Sequence, residues 1–170
     1  GGQADALYLI AIDTDNGVTT TFQISRNTMV DIDLYNTAGD FIRTENNQIC
    51  LSYAYGDGKE TSAENTVRSV RRLFYGLPVA QSYTALDISG ISALNDSIGG
   101  VTVTSPVTYK DDNNKVVYNE GQTYELHGKD AESFVRSRNH ETANYNDNRM
   151  ARQKAYLNAF IDKTVSMTKS

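Results

Sequence analysis

The apolar and polar positions in the first quarter of the chain predict a β-hairpin followed by irregular structure. Residues 6–13, ALYLIAID, form a continuous apolar run of β-forming residues, which is typical of a central strand buried on both faces. The dipeptide Asn16-Gly17 is a strong turn signal, and residues 19–25 alternate as the returning strand. Residues 27–47 are polar, with scattered Asn, Asp and Gly, so we expect irregular structure there.

A helix is predicted in the next segment. Thr61 and Glu64 have the spacing of a capping box, and the helix should end before Gly76 and Pro78. Four apolar residues share one face of it: Val67, Val70, Leu73 and Phe74. Three arginines lie on the other faces, where we expect solvent to surround them: Arg68, Arg71 and Arg72.

The centre of the chain predicts a strand, a short helix and a second strand, over residues 82–88, 89–100 and 101–106. That order is compatible with a parallel crossover connection. Short strands around a turn are expected over residues 116–126.

The end of the chain is predicted to be helical. Apolar residues at helical spacing favour helices over residues 130–137 and 148–167, joined by a polar loop. The predicted fold class is therefore α/β (α+β mixed), with a central mixed β-sheet flanked by helices. At 170 residues, a single domain over residues 1–170 is the simplest organisation.

Composition and charge argue against some classes of partner and of covalent cross-link. The net charge is −5, which argues against nucleic acid as a partner because duplex binding needs a broad basic face. The lone Cys50, between apolar Ile49 and Leu51, indicates a buried small hydrophobe and excludes an internal disulfide. The absence of a disulfide does not decide whether the protein is intracellular or extracellular.

A cluster of arginines stands out against this acidic background. Residues 134–153 contain four of the 16 cationic residues, Arg136, Arg138, Arg149 and Arg152. Basic side chains in the first turns of a helix oppose its dipole unless an anion is present, and guanidinium groups suit phosphate oxygens. Two interpretations stay open: a phosphate site, or surface ion pairs with neighbouring Glu132, Glu141 and Asp147.

Five motifs in the same order resemble the LytR-CpsA-Psr family of bacterial cell-wall assembly proteins. The family pattern L-x-G-x-x-A-x-x-F/Y-V-R-x-R followed by R-x-x-R-Q occurs as LHGKDAESFVRSR and RMARQ. The central element occurs as LDISGISALNDSIGGVTV. Three shorter segments occur as SYAYG, QISRNT and QADALYLI. The resemblance covers nearly the whole chain.

The resemblance implies a phosphotransferase that acts outside the membrane. Such enzymes move a glycopolymer, for example a teichoic acid or capsular polysaccharide, from an undecaprenyl-pyrophosphate carrier to peptidoglycan. Mg²⁺ or Mn²⁺ is the implied cofactor. The implied location is the outer face of the cell membrane or the cell wall of a Gram-positive bacterium, with a membrane anchor outside this chain and residues missing upstream of residue 1.

The family's functional residues map onto seven positions of this sequence. By resemblance, the catalytic phosphate-binding arginines are Arg26, Arg136, Arg138 and Arg149. Arg152 and Gln153 are substrate-binding, and Asp5 is a metal ligand. Charge is lost at other family positions, which carry Gln3, Asn27, Gln48 and Asn146. Two functions therefore stay open: a glycopolymer transferase, or a non-catalytic module that binds polyprenyl phosphate or glycopolymer and has lost the metal site. A third interpretation is an α/β domain with a solvated basic loop.

Overall fold

The computed structural model describes residues 2–80, 82–140 and 143–168. In the first half the elements are β1 (Leu7–Asp13), β2 (Val18–Ile24), β3 (Met29–Tyr35), β4 (Phe41–Gln48), α1 (Leu51–Ala54) and α2 (Glu60–Leu73). In the second half they are α3 (Gly90–Ser97), β5 (Val101–Thr104), β6 (Tyr109–Lys110), β7 (Val116–Tyr118), β8 (Thr123–Leu126), α4 (Lys129–Arg136) and α5 (Tyr145–Thr168).

The chain divides into two compact units, residues 1–85 and 86–170. One hydrophobic cluster, which includes Ile32, Ile49 and Val70, belongs to the first unit. A second, which includes Val101 and Phe134, belongs to the second unit. The organisation into a single domain stays a prediction.

A hairpin opens the first unit, as the sequence predicts. β1 and β2 pair antiparallel from Leu7 opposite Ile24 to Asp13 opposite Val18. The Asp13 carboxylate accepts backbone hydrogen bonds that close the turn, and Gly17 supplies a positive φ of 65°. The expected burial of β1 on both faces is wrong at its end, where Ile12 is 68% exposed.

A second hairpin follows, so the expected irregular structure over residues 27–47 is wrong. β3 and β4 pair antiparallel in a register that begins with Met29 opposite Gln48. The apolar residues Val30 and Ile32 of β3 are buried in the core. The alternation of these residues with aspartates is a strand pattern.

Helix α2 packs its apolar side against this core. Val70 is buried, and Leu73 and Phe74 pack beside it. The capping box at Thr61 is wrong, because α2 already begins at Glu60. Instead, the Asp57 carboxylate accepts hydrogen bonds from the backbone amides of Lys59 and Ser62 at 2.8 and 3.2 Å.

The second unit contains the predicted helix α3 but not the strand expected before it. Residues 82–88 form no strand. β5 pairs antiparallel with β8, and β6 pairs antiparallel with β7. The parallel crossover is therefore wrong, while the mixture of helices and strands agrees with the predicted class.

The two C-terminal helices agree with the sequence to within a few residues. α4 contributes Ala131 and Phe134, both fully buried, to the second core. α5 begins at Tyr145, three positions earlier than expected. Arg149 and Arg152 thus lie about one and two turns into the helix. No helix in the described part of the chain has both the length and the apolar character needed to cross a bilayer.

Candidate functional site

The arginines of α2 are ion-paired or hydrogen-bonded although they stay partly exposed, so the expectation that solvent surrounds them is only partly met. Arg72 donates from both terminal nitrogens to the two carboxylate oxygens of Asp33, at 2.9 and 3.1 Å. The Arg68 guanidinium lies 3.4 Å from the same carboxylate. Arg71 donates to the carbonyl oxygen of Val79 at 2.9 Å. These side chains fasten α2 to its neighbours.

Asp33 is ionised despite its burial. It is 5% exposed, and burial alone would raise its pKa. Hydrogen bonds from Arg72 and Thr44, with the charges of Arg72 and Arg68, outweigh that effect and hold the pKa below its usual value. The first unit therefore has a buried anion that is compensated by its own cations.

Arg26 and Asp5, two of the predicted site residues, contact each other in the first unit. Arg26 follows β2, and its guanidinium donates to the Asp5 carboxylate and to the side-chain oxygen of Gln3. It also lies 3.6 Å from the sulfur of Cys50. Cys50 is fully buried, as predicted. Arg26 is thereby held at the end of the first hairpin.

The surroundings of Asp5 do not make a metal site by themselves. The described residues contain no group of three or more His, Cys, Asp or Glu side chains that could hold a metal ion. The Arg26 guanidinium forms an ion pair with Asp5 and would compete with a cation for the carboxylate. The predicted Mg²⁺ or Mn²⁺ site at Asp5 stays a prediction.

The C-terminal arginines are placed in different surroundings. Arg136 ends α4, is 62% exposed and pairs with Glu132 one turn earlier at 2.9 Å. Arg138, two residues later, is half-buried. Arg149 is 2% exposed and donates to the side-chain oxygen of Asn146 at 3.0 Å. The four arginines of this cluster are thus not equivalent.

Arg152 and Gln153 reach from α5 to the end of α4. Arg152 is fully buried and donates to the carbonyl oxygen of Phe134 at 2.7 Å and to that of Ser137. The side-chain amide of Gln153 donates to the carbonyl oxygen of Val135 at 3.1 Å. Their predicted role in substrate binding stays a prediction.

A cavity of about 300 Å³ lies beside this arrangement in the second unit. Its volume is at the lower end of the range for small-molecule sites. Asn139 links its two sides, because its side-chain amide donates to the carbonyl oxygen of Asp111 at 2.9 Å. The lining residues are Thr108, Tyr109, Lys110, Asn114, Arg138, Asn139, Tyr145, Asn148 and Arg152.

The charge of this lining is positive. Lys110, Arg138 and Arg152 contribute cations, and no Asp or Glu occurs among the described residues that line the cavity. Each of the other six lining residues carries an amide or a hydroxyl group, although much of the surface that the lining presents is apolar. The wall thus offers hydrogen-bond donors and positive charge, as an anionic ligand requires.

Burial changes the pKa of Arg152 without removing its charge. Burial, and then the nearby Arg149, lower the pKa to about 10, while Tyr109 and Tyr118 raise it. The guanidinium is protonated at neutral pH. Among the described residues Arg152 forms no ion pair with a carboxylate. The carbonyl oxygens of Phe134 and Ser137 are its hydrogen-bond acceptors, and a buried charge without a counter-ion is costly.

Of the nine lining residues, the sequence predicted only Arg138 and Arg152. Lys110, Tyr145 and Asn148 are among the seven that it missed. Lys110 lies in β6, which has only two residues and gives almost no periodic signal. Tyr145 and Asn148 occupy the first turn of α5, and the earlier start of that helix brings them to the cavity. One sequence signal was available: Asn148 lies four residues before Arg152, a spacing that places both on the same face of a helix.

This fold and its arginine cluster define the class of the protein. The chain belongs to the LytR_cpsA_psr family, whose sequence profile matches residues 1–169. The predicted family is therefore confirmed.

Individual relatives are similar in sequence at a low level. The chain is 24% identical over 166 residues to the polyisoprenyl-teichoic acid–peptidoglycan teichoic acid transferase TagU of Enterococcus faecalis, covering 98% of this chain and 48% of that protein. It is 28% identical over 162 residues to the protein of the same name from Bacillus cereus, covering 95% and 47%. The chain thus spans about half the length of these curated relatives.

Solved structures confirm the predicted fold class. The crystal structure of B. subtilis TagV matches with a TM-score of 0.70 and 26% identity, over 95% of this chain and 57% of that one. Protein gbs0355 from Streptococcus agalactiae matches with a TM-score of 0.75 and 19% identity, over 98% and 55%. The LytR-Csp2A-Psr enzyme from Actinomyces oris matches with a TM-score of 0.66 and 18% identity, over 99% and 59%. The last two matches concern the fold alone.

Proposed function

We propose that this chain is part of a phosphotransferase that attaches a glycopolymer to peptidoglycan. The donor is a polymer linked to an undecaprenyl-pyrophosphate carrier, and the place of action is the outer face of the membrane. The curated relatives are named as teichoic acid transferases, which supports teichoic acid ahead of a capsular polysaccharide as the polymer.

The observation that carries the proposal is a cavity whose lining includes Lys110, Arg138 and the buried Arg152, with no Asp or Glu among the described lining residues. The cation is fully buried, and lining residues Lys110 and Arg138 add further positive charge. A pyrophosphate would supply the missing negative charge and accept hydrogen bonds from Arg138 and Lys110. By contrast, a neutral sugar would leave the guanidinium uncompensated.

Phosphoryl transfer needs little covalent help from the protein. A peptidoglycan hydroxyl attacks the phosphorus atom that carries the polymer, a phosphodiester forms, and the bond to the second phosphate breaks. The hydroxyl proton is released and undecaprenyl phosphate leaves. In this step Arg138 and Lys110 would hold the phosphate oxygens, and Arg152 would stabilise their growing negative charge.

The other predicted site residues do not line the cavity, and their roles stay predictions. Arg136 and Arg149 flank the cavity-lining residues in sequence, and Arg26 lies in the first unit. Mg²⁺ or Mn²⁺ at Asp5 remains part of the proposal, and it would supply additional charge neutralisation when bound. Because the carboxylate contacts Arg26, no step above depends on that ion.

A transfer assay tests the proposal. Polyprenyl-pyrophosphate-linked teichoic acid and peptidoglycan are incubated with the protein, and phosphodiester-linked polymer is measured with and without Mg²⁺. Arg138→Ala should abolish transfer, while Lys154→Ala should not, because Lys154 is an exposed cation of α5 outside the cavity lining. Transfer that survives Arg138→Ala would contradict the proposal.

A second function has two observations in its favour. Asp5 is engaged by Arg26, and the described residues contain no cluster suited to a metal. Both facts are compatible with a non-catalytic module that binds polyprenyl phosphate or glycopolymer. Tight binding of the lipid carrier without any transfer, at every Mg²⁺ concentration, would favour this alternative.

A further inference from the structure

The C-terminal end of α4 is completed by side chains of α5. The last carbonyl groups of any helix lack partners within that helix. Here the carbonyl oxygens of Phe134 and Ser137 accept from Arg152, and that of Val135 accepts from Gln153. The positive guanidinium also lies at the negative end of the α4 dipole. Arg152 thus stabilises the C-terminal end of α4.

Aromatic rings fix the orientation of the Arg152 guanidinium. Its central carbon lies 4.5 Å from the ring centre of Tyr109 and 5.8 Å from those of Tyr118 and Phe134. A planar guanidinium can lie against a ring and donate sideways to two carbonyl oxygens at once. A lysine ammonium is a compact point charge and cannot do both.

The contact with Ser137 has a direct consequence for Arg138. The carbonyl group of Ser137 and the amide group of Arg138 belong to the same planar peptide unit. Holding the Ser137 oxygen therefore orients the peptide plane from which the Arg138 side chain starts. Both Arg138 and Arg152 line the cavity.

We propose that Arg152 is a positioning residue that sets the direction of Arg138 into the cavity. Arg152 is fully buried and its terminal nitrogens donate to the carbonyl oxygens of Phe134 and Ser137, whereas Arg138 is only half-buried. Arg138 therefore makes the hydrogen bonds to the anion. This inference rests on the proposed function of the cavity as a phosphate site. It changes the predicted role of Arg152 from a substrate contact to a support for one.

A double-mutant cycle with inorganic pyrophosphate tests the proposal. Affinity is measured by calorimetry for the unmodified chain, Arg152→Lys, Arg138→Ala and the double variant, with Lys154→Ala as the control. Each single variant at the site should lose about tenfold to a hundredfold in affinity, the worth of a charge-assisted hydrogen bond. The double variant should bind no worse than about twofold below Arg138→Ala, because Arg152 acts through Arg138.

Losses that multiply in the double variant would overturn the proposal, since they would mean that Arg152 contacts the anion independently. A general loss of structure cannot imitate the expected result. It would weaken binding further in the double variant, and a lowered thermal midpoint of Arg152→Lys would identify it as the cause.

Side-chain NMR of the unmodified chain decides the question even if Arg152→Lys does not fold. On titration with pyrophosphate, the Nε–H resonance of Arg138 should shift and that of Arg152 should move much less. An equal or larger shift at Arg152 would contradict the proposal. If the chain binds no pyrophosphate, the proposed function fails. A change of the Arg138 resonance in ligand-free Arg152→Lys then still supports the positioning role, and an unchanged resonance overturns it.

Discussion

The two units place their arginines differently with respect to negative charge. In the first, Arg68 and Arg72 surround the buried carboxylate of Asp33. In the second, Arg152 is fully buried against backbone carbonyls and aromatic rings, with no carboxylate partner recorded among the described residues. An ion cluster of the first kind stabilises the fold, and its positive charges are already paired with a carboxylate of the chain. A buried cation of the second kind has no carboxylate partner in the described part of the chain and lies on a cavity that Lys110 and Arg138 also line, an arrangement suited to an external anion.

The largest effect should come from opening the closed cluster. Asp33→Ala leaves two arginines without their carboxylate and should lower the free energy of unfolding by about 2–4 kcal/mol, less than for a fully buried pair because both arginines are partly exposed. Urea denaturation followed by circular dichroism measures it. Asp31→Ala, at an exposed neighbour in β3, should change stability by no more than about 0.5 kcal/mol. Equal losses of stability in Asp33→Ala and Asp31→Ala would show that the ion cluster does not stabilise the first unit.

The next effect concerns the open site. Arg138→Ala should weaken pyrophosphate binding about tenfold to a hundredfold, with little change in the urea midpoint, because Arg138 is only half-buried. Calorimetry and denaturation on the same preparation separate the two quantities. A large loss of stability with unchanged affinity would mean that Arg138 stabilises the fold and does not bind the anion.

Acid should act on the closed cluster through Asp33. Its folded pKa lies below the usual value, so its stabilising contribution is present above about pH 4, the unfolded pKa. The contribution is lost as the pH falls through the folded pKa. The stability difference between the unmodified chain and Asp33→Asn should therefore shrink as the pH is lowered from 7 to 2. A difference that stays constant over this range would show that the carboxylate charge is not what stabilises the cluster.

The smallest effect is expected at Arg136, although the family resemblance groups it with Arg138. Arg136 is largely exposed and already pairs with Glu132, and such surface pairs contribute about 0–1 kcal/mol. We expect Arg136→Ala to reduce pyrophosphate affinity less than Arg138→Ala does, with an unchanged urea midpoint. A loss as large as that of Arg138→Ala would extend the anion site to the exposed end of α4.

The fold was predictable where a local signal was strong. Asn16-Gly17 gives the first hairpin and the repeated apolar positions give α4 and α5, because turns and helices depend on neighbours in sequence. The β3–β4 hairpin was missed because Asp31 and Asp33 were interpreted as signs of irregular structure, although their alternation with the apolar residues of β3 is a strand pattern. Asp33 is tolerated there by Arg72, which is 39 residues away, and such a distant partner leaves no local pattern.

The candidate site was predictable only in part for the same reason. The arginines of residues 134–153 are conspicuous in an acidic chain, but sequence spacing does not separate exposed Arg136 from buried Arg152. That difference arises from the aromatic rings of Tyr109 and Tyr118, which come from β6 and β7. Lys110, which also lines the cavity, lies in β6 and belongs to no sequence motif.

The hydrogen bond from Asn139 to the carbonyl oxygen of Asp111 has a consequence for the thermodynamics of binding. It joins the segment after α4 to the turn between β6 and β7, so the two sides of the cavity are connected before any ligand arrives. Ordering loops and side chains on association costs conformational entropy. A cavity that is already cross-linked loses less of it, and more of the attraction between cations and anion is kept as affinity.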